Sequence, residues 1–183
     1  MSSFDFNTDL ILEDDVVMLR PLLVSDLENL IEFSLHEPEI WDFSLLQASG
    51  KENLKRYIQS ALDGRNEKRE FPFIVFDKRV NKYAGSTRYY DIQLKNQTLQ
   101  LGYTWYGKNF QGTGLNKHCK YLLLTYAFEH LQMERVEFRA DAKNIRSIEA
   151  MKSIGCIPEG ILRSNLPTPA GKRPNSIVLS ILK

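Results

Sequence analysis

Apolar and polar residues along this chain alternate with two periods, and the switches between them outline a mixed α/β (α+β) domain. Val16–Arg20 reads as a short strand stopped by Pro21. Ser25-Asp26-Leu27-Glu28 has the form of a capping box, in which serine and glutamate reciprocally satisfy free N–H groups at a helix start. Leu27, Leu30 and Ile31 give that helix its apolar face. Leu54, Tyr57, Ile58, Ala61 and Leu62 recur at the spacing of a second amphipathic helix, and Gly64 is suited to stop it. A period of two follows. Phe71–Asp77, Lys82–Asp91 and Thr98–Tyr106 are separated by short turns near Asn81 and Lys95-Asn96, the loop lengths of an antiparallel meander. In the last of these strands Leu99, Leu101, Tyr103 and Trp105 alternate on one face, with Gly102 on the other. A glycine inside a strand marks a bulge or a close backbone approach.

A glycine-rich connection, Gly107–Asn116, opens a long helix whose stripe is Leu115, Cys119, Leu122, Leu123, Tyr126 and Ala127. Val136, Phe138 and Ala140 then alternate with Arg135, Glu137 and Arg139, the pattern of a half-buried strand. Asn144 can cap a fourth helix bearing Ile145, Ile148, Met151 and Ile154, and Gly155 suits the position just past its end. A strand over Cys156–Leu162, a loop with Pro167, Pro169, Gly171 and Pro174, and a strand over Ile177–Leu182 complete the pattern. The expectation is one domain over residues 1–183 with seven strands and four helices.

Composition narrows the function classes. The 183 residues are 43% apolar and 11% aromatic, enough for a substantial core, and the formal net charge of +1 gives no basic nucleic-acid surface. No apolar run approaches the roughly 18 residues of a membrane span, and the first residues have neither the basic flank nor the apolar stretch of a secretory signal. Cys119 and Cys156 form no disulfide framework, and Cys and His lack metal-site spacing. The expectation is a cytoplasmic protein without nucleic-acid, membrane or metal partners. His36, His118 and His130 have no evident partner, although His130 near a helix end suits the helix dipole.

The most informative segment is Gln111-Gly112-Thr113-Gly114-Leu115-Asn116, between a strand and a helix. A helix N-terminus exposes unpaired N–H groups and the positive end of the macrodipole, so it attracts phosphate. Glycines there remove the Cβ and supply the positive φ of an anion-binding nest. The segment is neither a P-loop, since no Gly-Lys-Ser/Thr follows, nor the G-x-G-x-x-G dinucleotide fingerprint. A plain strand-to-helix turn would account for the glycines equally well.

The order of segments decides between these. Gln111-x-x-Gly114 resembles the Q/R-x-x-G-x-G/A pyrophosphate loop of GCN5-related N-acetyltransferases. Tyr126-Ala127-Phe128, Arg135-Val136-Glu137-Phe138-Arg139, Asn144-x-x-Ser147 and Gly155-Cys156-x-Pro158-Glu159-Gly160 are similar in order and spacing to that superfamily's ribosomal-protein (RimJ/RimL-like) branch. The likeness is closest over Leu99–Arg163, and Val16–Asp26 and the last strand also fit. It departs at Asn116, where the loop pattern has Gly or Ala, and in the last strand, which has Leu179 where a Tyr is common and is preceded by Asn175 where an Asp is frequent.

The resemblance implies a mostly antiparallel twisted sheet that splays between its fourth and fifth strands, with acetyl-CoA as cosubstrate and a primary amine as acceptor. It implies that Gln111, Gly112, Thr113, Gly114, Leu115 and Asn116 hold the pyrophosphate. Backbone N–H groups along Tyr103, Thr104 and Trp105 would meet the oxyanion. Asn144 would bind the pantetheine, and Ser147 would stand near the sulfur as proton donor. Helix capping alone accounts for Asn144, and relief of crowding in an ordinary sheet accounts for Gly102. Glu159 and Asp91 are candidate bases, with water as a relay. Trp41, Tyr89, Tyr90 and Trp105 are candidates to line an acceptor pocket, while Lys108, Lys117 and Lys143 either meet the CoA phosphates or form a solvated face. The competing functions are a catalytically silent CoA-binding sensor or scaffold and, on the loop alone, an ATP- or GTP-binding protein.

Overall fold

The computed structural model describes residues 4–168 and 171–183; Met1–Ser3 at the chain start and Pro169 of the expected proline-rich loop lie outside the described residues. The strands are β1 (Leu12–Glu13), β2 (Val17–Pro21), β3 (Glu70–Asp77), β4 (Lys82–Gln93), β5 (Thr98–Tyr106), β6 (Arg135–Asp141), β7 (Ile157–Leu162) and β8 (Ser176–Leu182). The α-helices are α1 (Leu27–His36), α2 (Lys51–Asn66), α3 (Leu115–Thr125) and α4 (Ile145–Lys152). One sheet of order β1-β2-β3-β4-β5-β6-β8-β7 runs through the molecule, antiparallel except between β5 and β6. The expected seven strands are all present. The eighth, β1, has two residues and is too short to carry a period.

A parallel pair needs a crossover, and α3 supplies it between β5 and β6. These two strands pair only at Thr98–Arg135, Leu99–Val136 and Gln100–Glu137 and then part, whereas β6 pairs with β8 at seven positions. The expected splay is therefore present between those strands. Each face of the sheet has its own core. Leu115, Cys119 and Leu123 of α3 and Ile148 and Met151 of α4 pack with Phe71, Phe73, Tyr89, Leu101 and Phe138 on one side. Leu30 of α1 and Leu54, Tyr57 and Ile58 of α2 pack with Ile74 and Trp105 on the other.

Three local expectations are corrected. Ser25 does not cap α1: Val24–Asp26 forms a 3₁₀ turn, and the Asp26 carboxylate accepts from the Leu23 N–H at 2.8 Å while gripping the Arg20 guanidinium at 2.6 and 2.9 Å. An ionised acceptor held by arginine outcompetes a hydroxyl. Gly64 does not end α2 but lies within it, where a Cβ would stand 2.8 Å from Cδ of Glu70, so its role is close packing of helix on strand. The long helix loosens after Thr125 into a π turn, Tyr126–His130.

Candidate active site

The strand β5 does not keep its alternation. Gly102 pairs with Arg88 and Trp105 with Ser86, so Tyr103 and Thr104 together face the single residue Thr87, and Tyr103 sits at φ +49°. This bulge reverses the faces beyond it. Leu99 and Leu101 face α3, but Trp105 turns to the α1–α2 side and packs 4.6 Å from Trp41. The sequence signalled a bulge through Gly102, yet the positive φ falls on its neighbour. Gly102 is small for another reason: a Cβ there would lie 2.9 Å from the Tyr90 ring, which packs edge-on to Tyr103 at 5.1 Å.

A left-handed backbone at a residue other than glycine costs about 1–2 kcal/mol, so the surroundings must hold it. On the α1–α2 side the Tyr57 hydroxyl donates to the Tyr103 carbonyl at 3.3 Å and accepts from the Trp105 indole N–H at 3.2 Å. Arg88 lies under the Tyr103 ring at 4.1 Å and donates to Glu70 at 2.6 Å. Only 1% of Arg88 is exposed, and its Nε and Nη2 have no hydrogen-bond partner. On the α3 side the hydroxyls of Thr87 and Thr104 lie 2.7 Å apart, and the Lys120 ammonium donates to Thr104 at 2.7 Å and more weakly to Thr87 at 3.4 Å. The one bulge of β5 is thus gripped from both faces by buried cations.

The loop that follows positions the second half of the site. After a 3₁₀ turn at Lys108–Phe110, Gly112 and Gly114 adopt φ +73° and +85°, and Gly114 is the N-cap of α3. No atom lies within 4 Å of where a Cβ on either would stand, so the backbone faces open space. Leu115 anchors the first turn in the core, while Arg79 holds Thr113 through its carbonyl at 3.0 Å and its hydroxyl at 3.3 Å. Gln111 donates to the Tyr106 carbonyl at 2.8 Å and accepts from Arg146 of α4 at 2.6 Å. That bridge brings the α4 N-terminus beside that of α3. There Asn144 caps α4 by accepting from the Ser147 N–H at 3.2 Å. Asn116, the departure from the loop pattern, turns inward to accept from the Tyr106 hydroxyl at 3.2 Å.

The remaining sequence candidates are dispersed. Tyr89 is fully buried on the α3 side and donates to the Leu123 carbonyl, and Trp41 is buried behind Trp105, so of the four proposed acceptor-lining aromatics only Tyr90, against Tyr103, and Trp105, the residue after the bulge, lie at it. Asp91 accepts from Gln100 and Gln93, both at 2.9 Å. Glu159 is paired with Arg135 and accepts from the Ser180 hydroxyl at 2.6 Å; Arg135 first and Ser180 second bring its pKa down to about 2. A carboxylate held so far below neutrality is a weak proton acceptor. Lys108 is paired with Glu39, and Lys117 and Lys143 are exposed; the cations that touch the loop are Arg79 and Arg146. Among the described residues no helix is long and apolar enough to cross a membrane, and no His/Cys/Asp/Glu group could hold a metal ion.

The sequence reading missed Tyr57, Thr87, Arg88 and Lys120. Tyr57 was assigned to an apolar stripe, and a lysine beside a helix stripe ordinarily reads as solvated. A basic residue within the central strand of a meander was the one available signal for Arg88.

Comparison with known proteins supplies the context for this geometry. Residues 17–157 match the family of the acetyltransferase (GNAT) domain. The probable N-acetyltransferase YjcK of Bacillus subtilis (strain 168) is 24% identical over 160 residues, covering 85% of this chain and 88% of that protein. A T. thermophilus protein of known crystal structure, provisionally described as an acetyltransferase, is 31% identical with a TM-score of 0.87, covering 100% of this chain and 92% of that one. The same fold, at 19% identity and a TM-score of 0.81 over 95% of this chain and 99% of the other, is that of the Salmonella typhimurium acetyl transferase that modifies the N-terminal serine of 50S ribosomal subunit protein L7/L12.

Proposed function

The chain belongs to the GNAT acetyltransferase family, and we propose that it moves an acetyl group from acetyl-CoA to a primary amine, a protein N-terminus or a small-molecule amine, by direct attack. The observation that carries this reading is the juxtaposition of two helix N-termini, joined by Gln111 and Arg146, with a strand pair that parts after three positions. A thioester supplies an acyl carbon that is already activated, so alignment and charge stabilisation suffice without a covalent enzyme intermediate.

In this reading the N–H groups around Gly112 and Gly114 grip the diphosphate at the positive end of α3, with Gln111, Thr113, Leu115 and Asn116 completing the cradle. The parted edges of β5 and β6 take the pantetheine arm. Asn144 hydrogen-bonds that arm, and Ser147 hands a proton to the departing sulfur. N–H groups of Tyr103, Thr104 and Trp105 receive the developing oxyanion, and the bulge keeps them aimed without reorganisation during the reaction. Tyr90, on the α1–α2 side, bounds the approach of the amine; Trp41 only backs Trp105 from the core, and Tyr89 lies across the sheet on the α3 side. Proton removal falls to water, with Glu159 a candidate acceptor only if it leaves Arg135. The whole of residues 1–183 acts as one acetyltransferase domain, a monomer or homodimer in the cytoplasm, where the buried free thiols of Cys119 and Cys156 stay reduced.

The test is thermal unfolding in the presence of acetyl-CoA, ATP or NAD. A ligand bound only by the native state raises the midpoint by mass action, and acetyl-CoA alone is expected to do so. A response to ATP or NAD and none to acetyl-CoA would discard the reading. Release of CoA thiol against a panel of amines, including peptides that begin with serine, then identifies the acceptor. The capture of Glu159 by Arg135 favours one competing reading, a catalytically silent CoA-binding sensor. It predicts tight acetyl-CoA binding with no thiol release from any amine.

A further inference from the structure

We propose that Lys120 is a positioning residue for the acyl group: its ammonium, enclosed behind the Tyr103–Thr104 bulge and bonded to Thr104, sets the positive field into which the thioester carbonyl is drawn. This rests on the reading of the cleft between β5 and β6 as the acetyl-CoA slot.

The argument begins with a lysine where the fold calls for an apolar residue. Lys120 follows Cys119 on α3, lies between the sheet and the helix, and is only 4% exposed. The groups that face its ammonium come from every element packed around it: the hydroxyls of Thr87 on β4 and Thr104 on β5, the Phe138 ring on β6 at 5.9 Å, and the thiols of Cys119 on its own helix and of Cys156. Burial pushes both thiols up to about 11, so they stay neutral. Among the described residues no carboxylate lies within ion-pair distance of Lys120. Burying an ammonium without a counter-charge is costly, and a purely structural role at this position would be filled better by Leu or Met.

Position gives the cost a use. Thr104 belongs to β5 four residues beyond its last pairing with β6 at Gln100, on the stretch whose amides are proposed to meet the oxyanion, and Phe138 follows Glu137 on the strand that parts from it. Lys120 therefore closes the back of the cleft, one hydroxyl from the bulge. In a site with few competing dipoles, a fixed positive charge there favours a carbonyl oxygen as it becomes negative. The two threonines fix where the ammonium sits, because their hydroxyls bond each other as well as the lysine.

The experiment compares the wild-type chain with Lys120→Met, which keeps the length of the side chain and removes the charge. Isotope-edited infrared difference spectra with acetyl-CoA labelled at the carbonyl carbon read the polarisation of the thioester directly, without an amine and without turnover. The wild-type protein is expected to move the carbonyl stretch to lower frequency on binding, and the variant to lose most of that displacement while acetyl-CoA affinity by calorimetry is unchanged. Once an acceptor is known, turnover of the variant should fall by about tenfold or more at unaltered KM for acetyl-CoA. Equal displacement in the two proteins overturns the proposal. Where the variant fails to fold, the wild-type displacement measured from about pH 6.5 to about pH 9.5 replaces it. Burial lowers the lysine to about 8, so the displacement should fade across that range, and a constant displacement refutes the assignment. Wild-type protein that does not bind acetyl-CoA at all defeats the functional reading itself, an outcome separable from binding without polarisation.

Discussion

Gly114→Asp separates the anion site from the fold that presents it. Gly114 sits at φ +85° with no atom within 4 Å of a prospective Cβ, so a side chain meets no steric clash and the folding penalty is backbone strain alone. That strain is about 1–2 kcal/mol for a left-handed non-glycine residue, and a carboxylate at the first turn of α3 recovers about 0.3–1 kcal/mol from the helix dipole. The net loss is on the order of 1 kcal/mol, read in urea unfolding without ligand. Binding is affected far more. A carboxylate about 4 Å from a phosphate charge is repelled by about 4 kcal/mol at an effective dielectric near 20, close to a thousandfold in affinity. Gly114→Ala supplies the control, since it carries the same strain without the charge. Calorimetry with acetyl-CoA should then give a modest weakening for alanine and near-complete loss for aspartate. Equal losses in the two variants, or wild-type affinity in the aspartate variant, would refute the placement of the diphosphate at this loop.

Four further outcomes test other parts of the site. Ser147→Ala should lower turnover while leaving acetyl-CoA affinity intact, because its N–H, not its hydroxyl, meets the Asn144 cap; paired kcat and calorimetric measurements check this. Glu159→Gln should lower turnover less than about tenfold, well short of the loss expected on removing a general base, and its stability should show the pair. The folded carboxyl is depressed from 4.5 to about 2, so the contribution is present above 4.5 and lost as pH falls towards 2; wild-type unfolding midpoints should fall more steeply with acid than those of the variant, in which the lowered carboxyls of Asp14 and Asp77 remain. Glu70→Ala leaves the guanidinium of Arg88 buried without its partner and should destabilise by about 3–5 kcal/mol, whereas Glu70→Leu with Arg88→Met should recover most of that in the same denaturation assay. For Lys120 the unfolded side chain titrates near 10.5 and the folded one near 8, so the unfolded state binds more protons between these values. Because Cys119 and Cys156, raised to about 11, act in the opposite sense, the readout is the difference between the two proteins: the stability of the wild type relative to Lys120→Met should rise with pH across that window.

Much of this was legible because hydrophobic period, loop length and glycine placement are local. The meander, the three amphipathic stripes after Gly50, and the strand at Val136–Ala140 all follow from spacing, and the twin glycines at 112 and 114 adopt the positive φ that an anion nest needs. What was hidden depends on partners distant in sequence. Ser25 and Glu28 have the letters of a capping box, but Asp26, held by Arg20, accepts from the Leu23 N–H, so the box lies two residues earlier. Gly64 looks like a helix stop until Glu70 of β3 is seen against it. Arg79 and Arg146 reach the loop at Gln111–Thr113 from 34 and 35 residues away, and no spacing rule connects them to it.

The largest divergence lies at the bulge, and its cause bears on function. Leu99, Leu101, Tyr103 and Trp105 alternate in the sequence as a flat strand would, yet Tyr103 is held left-handed and Trp105 emerges on the opposite face. Gly102 signals a bulge, but nothing in residues 99–106 favours placing the positive φ on Tyr103, since tyrosine is poorly suited to it. The preference is imposed by Tyr57 on the Tyr103 carbonyl, Arg88 under its ring and Lys120 on Thr104, three groups from two helices and one strand. Two of them, Arg88 and Lys120, break a local rule in their own element by burying a cation. A fold seeking stability alone would have placed apolar side chains at 88 and 120 and left β5 regular. Conflict between local preference and global structure, concentrated at one turn of backbone beside the cleft, is what the proposed oxyanion site would require.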